Sequence, residues 1–324
     1  MSGPRCFRSI TKESFFLVHG CALDFLLAKW CDNPLVYTVW STVCSVYTIA
    51  LVIYTSIVSE YGMKIVIWLT YWAFYTVTVR FMITAWNCWQ FVLHERAKCN
   101  ADTHRHLPDV TNTTSCNNQE CVTELVKSDS DTLDTNTSDE KEVPASDEAQ
   151  AETTVVAVCS DEHRQDKPKS LPLMVKCQWC FQNISNSTSV LVTVLFWALV
   201  YTGETQNYAS INSHVINSLL VIGDIMISSA PIRIQHLYMP FIYLSIYITF
   251  SLIYWAAGGT NHKGQHFIYG VLDYSNGVRT AVVAICTIAL VGLLLTQTFL
   301  YFVYRLRNCL YSWTKTGKFL FREQ

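Results

Sequence analysis

VRTAVVAICTIALVGLLLTQTFLYFVY, running from Val278 to Tyr304, holds a single charge, Arg279, in 27 residues. As a helix rising ~1.5 Å per residue it reaches about 40 Å, more than the roughly 30 Å of hydrocarbon in a bilayer. A soluble helix of that length would show a charged face, and this one has none. Similar runs lie on either side of it. Upstream are His236 to Ala257, Ile211 to Ala230 and Val175 to Tyr201; nearer the N-terminus are Leu35 to Val58 and Ile65 to Leu93. Each has punctuation at its ends: Asn33-Pro34 opens the first, Ser59-Glu60-Tyr61-Gly62 separates the first two, Pro231 stops the fourth, Gly258-Gly259 the fifth and Arg305-Leu-Arg307 the sixth. The pattern predicts an all-α polytopic membrane protein of about six transmembrane helices.

The remaining chain is of another kind. Although 51% of the protein is hydrophobic and 15% charged, 16 of its 25 acidic residues fall between Ala101 and Ser170, against six Lys and Arg. This stretch is rich in Ser, Thr and Asn and poor in aromatics, so it cannot bury enough apolar surface to offset its ordering entropy. It predicts a disordered acidic loop, within which Val155-Val156-Ala157-Val158 is a short apolar run able to meet a partner. The net charge of -2 averages two unlike regions. No basic face interleaved with aromatics is present, which sets nucleic-acid binding aside.

Thirteen cysteines are scattered without the dense spacing of a disulfide scaffold. Cys177-Gln-Trp-Cys180 has the spacing of half a zinc site, but no second pair completes a set, so neither a metal nor a cofactor is expected. Cys31, Cys99 and Cys309 lie near predicted membrane boundaries, where either acylated or free thiols occur. Arg8, Lys12, Glu13, Asp24 and Lys29 interrupt the apolar runs of the first thirty residues, so no cleavable signal is expected.

Orientation follows from Lys and Arg near the span ends. Arg5, Arg8, Lys12 and Lys29 precede the first span, Arg96, Lys98, Lys167, Lys169 and Lys176 flank the acidic loop, and five basic residues follow the last span. The other side has Lys64, Lys263 and Arg279. The expected organisation is a cytosolic tail (1–34), two spans (35–93), an acidic cytosolic loop (94–174), four spans (175–304) and a basic cytosolic tail (305–324). Both termini are then cytosolic, and Asn112-Thr-Thr and Asn136-Thr-Ser stay unglycosylated despite matching the acceptor pattern.

Ionisable groups inside a span are costly and usually paired. Arg80 follows the start of the second span by fifteen residues and Asp224 that of the fourth by thirteen, so both lie roughly 20 Å deep and can form an interhelical ion pair. Snorkelling of Arg80 towards the headgroups is the alternative. Thr76, Arg80, Thr84 and Asn87 fall at helical spacing, as do Asn217, Asp224 and Ser228, making polar stripes of the sort that join helices. Nearer the outer face, Thr70 and His214 share a second depth. A threonine hydroxyl becomes a nucleophile when a base takes its proton, and imidazole can do so at neutral pH. A threonine bonded to its own helix and a histidine acting as a polar anchor fit the same spacing.

Pro231-Ile-Arg-Ile-Gln-His236-Leu-Tyr-Met-Pro240, Tyr254, Gly258-Gly259-Thr260, Phe267-Ile-Tyr269-Gly-Val-Leu-Asp273 and, earlier, Trp68-Leu69-Thr70-Tyr71-Trp72 together resemble the rolling stone family of animal membrane proteins. Gly270 stands where the family pattern has proline, and Tyr274 where it has tryptophan. The family's namesake is associated with myoblast fusion, so the resemblance implies a plasma-membrane role in cell fusion or adhesion, with an endomembrane site as the other option. Protein partners would meet the acidic loop, and the bilayer is the other partner. More distantly the chain is similar to the androgen-induced family of multispan proteins, some of which are threonine hydrolases of fatty acid esters. Leu69-Thr70 matches the nucleophile segment of that family, and Asn212-Ser213-His214 with Asp224 resembles its histidine segment. That likeness implies a lipid ester substrate, Thr70 as nucleophile and His214 as general base. Amides of Gly258, Gly259 and Thr260 would be oxyanion donors, unless they simply end a helix. His262 and His266 in the same loop lack an acidic cluster and read as solvated. A transporter is the third class, but neither an internal repeat nor a pair of broken helices supports it.

Overall fold

The computed structural model describes residues 15–58, 62–105, 171–201 and 211–316. The acidic stretch, the two Asn-X-Ser/Thr sites at Asn112 and Asn136 and the run Val155 to Val158 lie outside the described residues. Contacts divide the chain into a unit of Met1–Glu95 with Val156–Gln324 and a unit of Arg96–Val155, and of the second only the helical end at 96–105 is described.

Among the described residues there is no strand, and the helices are α1 (Pro34–Val58), α2 (Leu69–Arg105), α3 (Leu173–Leu195), α4 (Asn217–Ile227), α5 (Tyr238–Ala256) and α6 (Val278–Thr316). Short 3₁₀ turns lead into α2 (Gly62–Ile67) and α5 (Ile234–Leu237). Three π turns occur: Phe196–Val200 after α3, Asn212–Ile216 before α4, and Ile288–Gly292 within α6. Pro240 sits in the first turn of α5, where a missing N–H costs nothing. Helix α5 ends at Ala256, and Gly258, at φ +74°, takes the left-handed conformation that closes it.

The protein is an all-α membrane protein, and its side chains are distributed accordingly. On α1 the inward residues are the hydroxyl-bearing Thr38, Ser41, Ser45, Thr48 and Thr55 with Tyr37, Cys44 and Leu51, whereas Val36, Val39, Val43, Val46 and Ile53 face outward. That is the reverse of a soluble amphipathic helix. Outward apolar side chains continue along α6 with Val282, Val283, Leu290, Leu294, Leu295 and Phe302. So broad an exposed apolar surface belongs in hydrocarbon. Among the described residues three helical segments are long and apolar enough to cross a membrane: Pro34–Val58, Ile234–Ala256 and Val278–Thr316; Ser213–Ile227 is apolar but short. Helix α3 falls outside this group because it carries Gln178, Gln182, Asn183, Asn186 and a run of hydroxyls, all buried.

Helix α3 is central, packing against α4, α5 and α6. Lipid is as apolar as leucine, so the helices are held by close packing and by interhelical hydrogen bonds that average ~0.6 kcal/mol each. Such bonds tie most neighbouring pairs. Trp89 Nε1 donates to Thr42 Oγ1 (α2 to α1, 3.0 Å), Asn87 to Gln178 (α2 to α3, 2.8 Å) and Ser187 to Gln297 (α3 to α6, 2.7 Å). Ser218 Oγ donates to the Ser189 carbonyl (α4 to α3, 2.9 Å), and Thr76 Oγ1 lies 2.9 Å from the Tyr243 hydroxyl (α2 to α5). Between them, Cys44, Val77, Phe81, Val190, Val221, Ile225, Leu300 and Val303 form one apolar core. Leu69, Ala73, Leu191, Val192, Leu244, Tyr247 and Leu293 form a second. Gly292 lets α6 approach α3 closely: a Cβ there would lie 3.2 Å from Leu191 Cδ1.

Two segments expected as tails are built into the fold. Residues 15–33 tuck against the helix ends. Phe25 is buried among Leu171, Val175, Trp179 and Ala230, and Leu26 lies with Tyr37, Cys88 and Phe91. The Lys29 N–H donates to the Ile227 carbonyl at 2.7 Å and the Ser229 N–H to the Leu27 carbonyl at 3.1 Å, forming a short antiparallel bridge that ends α4 at Ile227 rather than Ala230. At the other terminus, α6 does not close at Arg305-Leu-Arg307 but continues to Thr316, because nothing before Gly317 breaks it. Arg307 is fully buried, and its Nη1 donates to the carbonyls of Ile225, Ser228 and Ala230. It therefore serves the carbonyls that the end of α4 leaves without intrahelical donors. Helix α2 likewise runs past Leu93 to Arg105, since His94 to Arg105 contains neither Gly nor Pro. Cys31 is exposed, whereas Cys309 is buried and out of reach of acylation.

Candidate functional site

Thr70 and His214 line the same cavity. Thr70 is the second residue of α2, and the 3₁₀ turn before it is anchored by Tyr247, whose hydroxyl donates to the Ile67 carbonyl at 2.9 Å. His214 lies in the π turn that opens α4, and Thr193 Oγ1 donates to its carbonyl. The imidazole stacks on Phe196, with centroids 3.6 Å apart and planes at 11°. Both side chains are more than nine-tenths buried, and His214 Nδ1 has no hydrogen-bond partner.

The cavity is otherwise lined by Leu, Val, Ile and Phe from α3, α5, α6 and the loop after α5, together with Tyr247 and Tyr269. All three π turns border it, through Phe196 and Leu199, through His214, and through Ile288. Such turns cost helix stability and are frequent at functional sites. No spacing in the sequence announced them.

Tyr269 is the group that sequence reasoning passed over. Its hydroxyl accepts the Leu69 N–H at 3.1 Å, and the Thr70 side chain and amide share that oxygen. Burial pushes the phenol above its ordinary pKa while these neighbours hold it back, so it stays protonated and able to donate. The ring is fixed edge-on to Trp68 with centroids 5.0 Å apart. The positive end of α2 and a phenol thus converge beside the threonine hydroxyl.

Gly258, Gly259 and Thr260 are not part of this site. The Gly258 N–H donates to the Trp255 carbonyl and the Gly259 N–H to Tyr254, both at 2.9 Å, which is the helix-ending turn rather than an oxyanion hole. Thr260 Oγ1 accepts from Lys64 Nζ at 2.9 Å, tying the loop to the start of α2. His262 packs near Trp68, with centroids 5.9 Å apart, and burial together with Lys263 and Lys64 lowers its pKa. Among the described residues no His, Cys, Asp and Glu group could hold a metal.

Arg80 and Asp224 form a second layer. Each lies ten residues beyond its partner in the first, Arg80 after Thr70 and Asp224 after His214, so about 15 Å separates the layers along both helices. Arg80 Nη2 and Asp224 Oδ2 are directly paired, with both side chains essentially inaccessible. The other carboxylate oxygen accepts from Trp40 Nε1 at 3.0 Å and from the Tyr37 hydroxyl at 3.3 Å, and Arg80 Nη1 donates to Asn186 Oδ1 at 3.3 Å. Four helices meet at one pair of charges. Tyr37, Trp40 and Asn186 carried no signal of this, being ordinary residues of apolar or hydroxyl-rich runs.

Comparison with known proteins bears on the C-terminal two-thirds of these elements. A family model described as "Protein rolling stone" matches residues 150–316. The match includes His214, Asp224 and Tyr269; Thr70 and Arg80 lie before it. The curated protein rolling stone of Drosophila melanogaster is 26% identical over 125 residues, covering 37% of this chain and 43% of that protein. The chain thus matches less than half the length of that relative. No solved structure matches.

Proposed function

The chain belongs to the rolling stone family, and from that premise we propose that it acts at the plasma membrane in cell fusion or adhesion. The family match over residues 150–316 carries this reading. The proposed topology has six spans with both termini and the acidic segment in the cytosol, as the Lys and Arg distribution favours. Protein partners would then meet the acidic segment. The test is re-expression in fusion-competent cells lacking the protein. The intact chain restores fusion, and a chain without residues 106–170 restores it weakly if that segment recruits partners. Equal fusion with and without the protein sinks the reading.

A second reading rests on one observation, that Thr70 and His214 line one apolar cavity. In a lipid ester hydrolase of this design, Thr70 Oγ1 would attack the ester carbonyl while His214 takes its proton and passes it to the departing alcohol. The oxyanion would face the Tyr269 hydroxyl. Water, deprotonated by His214, would then cleave the acyl-threonine, releasing the fatty acid and restoring the hydroxyl. The test is hydrolysis of a panel of fatty esters by membranes holding matched amounts of wild type, Thr70→Ala and His214→Ala. Loss in both variants supports catalysis; wild-type rates no greater than vector control remove it. Fusion restored by both variants would separate the developmental role from the chemistry.

A further inference from the structure

We propose that the Thr70/His214 cavity is a binding site for a single acyl chain whose polar end carries no charge, and that it discriminates against carboxylate-bearing lipids. This rests on the cavity being a lipid site but not on its being catalytic. The first argument is the lining. Of the fifteen described residues that line it only Thr70, His214, Tyr247 and Tyr269 have polar side-chain atoms, and neither Lys, Arg, Asp nor Glu is among them. Lys64, the cation just before α2, is engaged by Thr260 Oγ1 and the Asn261 carbonyl, and Arg279 is exposed. An anion drawn into such a lining loses its hydration, and the positive end of α2 is its main compensation. A neutral carbonyl or hydroxyl loses far less and finds Tyr269 as donor and His214 Nδ1 without a partner.

The second argument is the mouth. Leu199 lines the cavity yet is 54% exposed, and Val194 and Trp197 on the same helical stretch are also exposed. The opening therefore gives onto the apolar flank of the bundle. A ligand entering there comes from the hydrocarbon, chain first or sideways, and its polar end reaches the cluster of Thr70, His214 and Tyr269. Aliphatic residues from three helices, Leu195 on α3, Ile248 on α5 and Ile285 and Ile288 on α6, remain to take the chain.

The experiment uses the full chain in nanodiscs and a tritiated long-chain methyl ketone, which keeps a carbonyl but cannot be hydrolysed. Competitors of equal chain length are the methyl ester, the primary alcohol and the free fatty acid at pH 8. Ester and alcohol are expected to displace the ketone within about threefold of each other, and the acid at least about tenfold less well, equivalent to ~1.4 kcal/mol. Ile288→Trp, which fills the cavity, should abolish binding, whereas Val46→Trp, on the outward face of α1, should leave it intact; thermal unfolding of each variant shows that the fold persists. An acid that competes as well as the ester overturns the proposal, as does ketone binding that survives both Ile288→Trp and Leu244→Trp. A wild-type chain that binds the ester without turning it over removes the hydrolase reading and leaves this one standing.

Discussion

Replacing Asp224 by leucine tests what the buried charge pair does. Arg80 would keep Asn186 Oδ1 at 3.3 Å as its side-chain acceptor, in a site where its own exposure is 1%. Removing one partner of a buried ion pair costs about 3–5 kcal/mol. The Trp40 N–H and Tyr37 hydroxyl also lose their acceptor, each orphaned donor adding about 1 kcal/mol or more. The single variant should therefore lose about 5 kcal/mol or more, enough to exhaust a typical marginal stability of roughly 5–15 kcal/mol or come close to it. Arg80→Met combined with Asp224→Leu removes both charges and leaves three orphaned groups, the Trp40 and Tyr37 donors and the Asn186 amide oxygen, a loss of about 3 kcal/mol. The double variant should then be about 2 kcal/mol more stable than the single one. Asp224→Asn, which keeps an acceptor for Trp40 and Tyr37, should fall between them. The assay is denaturant unfolding in nanodiscs followed by tryptophan fluorescence, with expression yield as a coarse companion. A double variant no more stable than Asp224→Leu, or a single variant costing under about 1 kcal/mol, would refute the reasoning, because the pair would then be either solvated or absent in the membrane.

Phe25→Ala should destabilise by about 3–5 kcal/mol in the same unfolding assay, since the ring is fully buried against Trp179; a residue in a free tail would cost under about 0.5 kcal/mol. Arg307→Ala leaves three carbonyls at the end of α4 without their shared donor and should speed hydrogen exchange there, with Arg307→Lys restoring part of the protection. Asp273 caps the turn before α6, accepting from the Ser275 and Asn276 amides at 2.9 and 3.0 Å, which lowers its pKa. A carboxyl depressed in the fold contributes above its unfolded value, about 3.9, and loses that contribution as pH falls through the lowered one. Amide exchange in residues 273–277, corrected for intrinsic rates, should show constant protection from pH 8 to about 4, weaken below that, and lose this acid step in Asp273→Asn.

Much of the helical plan was legible because its signals are local. Asn33-Pro34 marks the start of α1, Gly258 the end of α5, and the count from span starts puts Arg80 level with Asp224 and Thr70 level with His214. What stayed hidden depends on contacts between distant segments. Arg307 read as a basic flank because its acceptors, the carbonyls at 225, 228 and 230, exist only once α4 ends against α6. Phe25 and Leu26 read as tail residues because their partners, Trp179 and Phe91, come from other helices. Tyr269 was quoted for its place in a motif, yet its bond to the start of α2 spans 200 positions. The glycine pair reads in sequence both as the end of a span and as oxyanion donors, and the structure shows the first: its freedom serves to end a helix, and its amides are already taken.

The polar inner face of α3 has a consequence for how the protein is made. Gln178 answers Asn87 and Asn186 answers Arg80, both on a helix already synthesised, but Ser187 needs Gln297 and the Ser189 carbonyl needs Ser218, which emerge later. As α3 leaves the ribosome it is too polar to be held by lipid alone, and half its partners do not yet exist. Its packing is expected to be completed only when α4 and then α6 arrive to close around it. Order of synthesis and order of assembly should then differ, and a chain cut short after α3 should hold that helix less firmly than the full chain does.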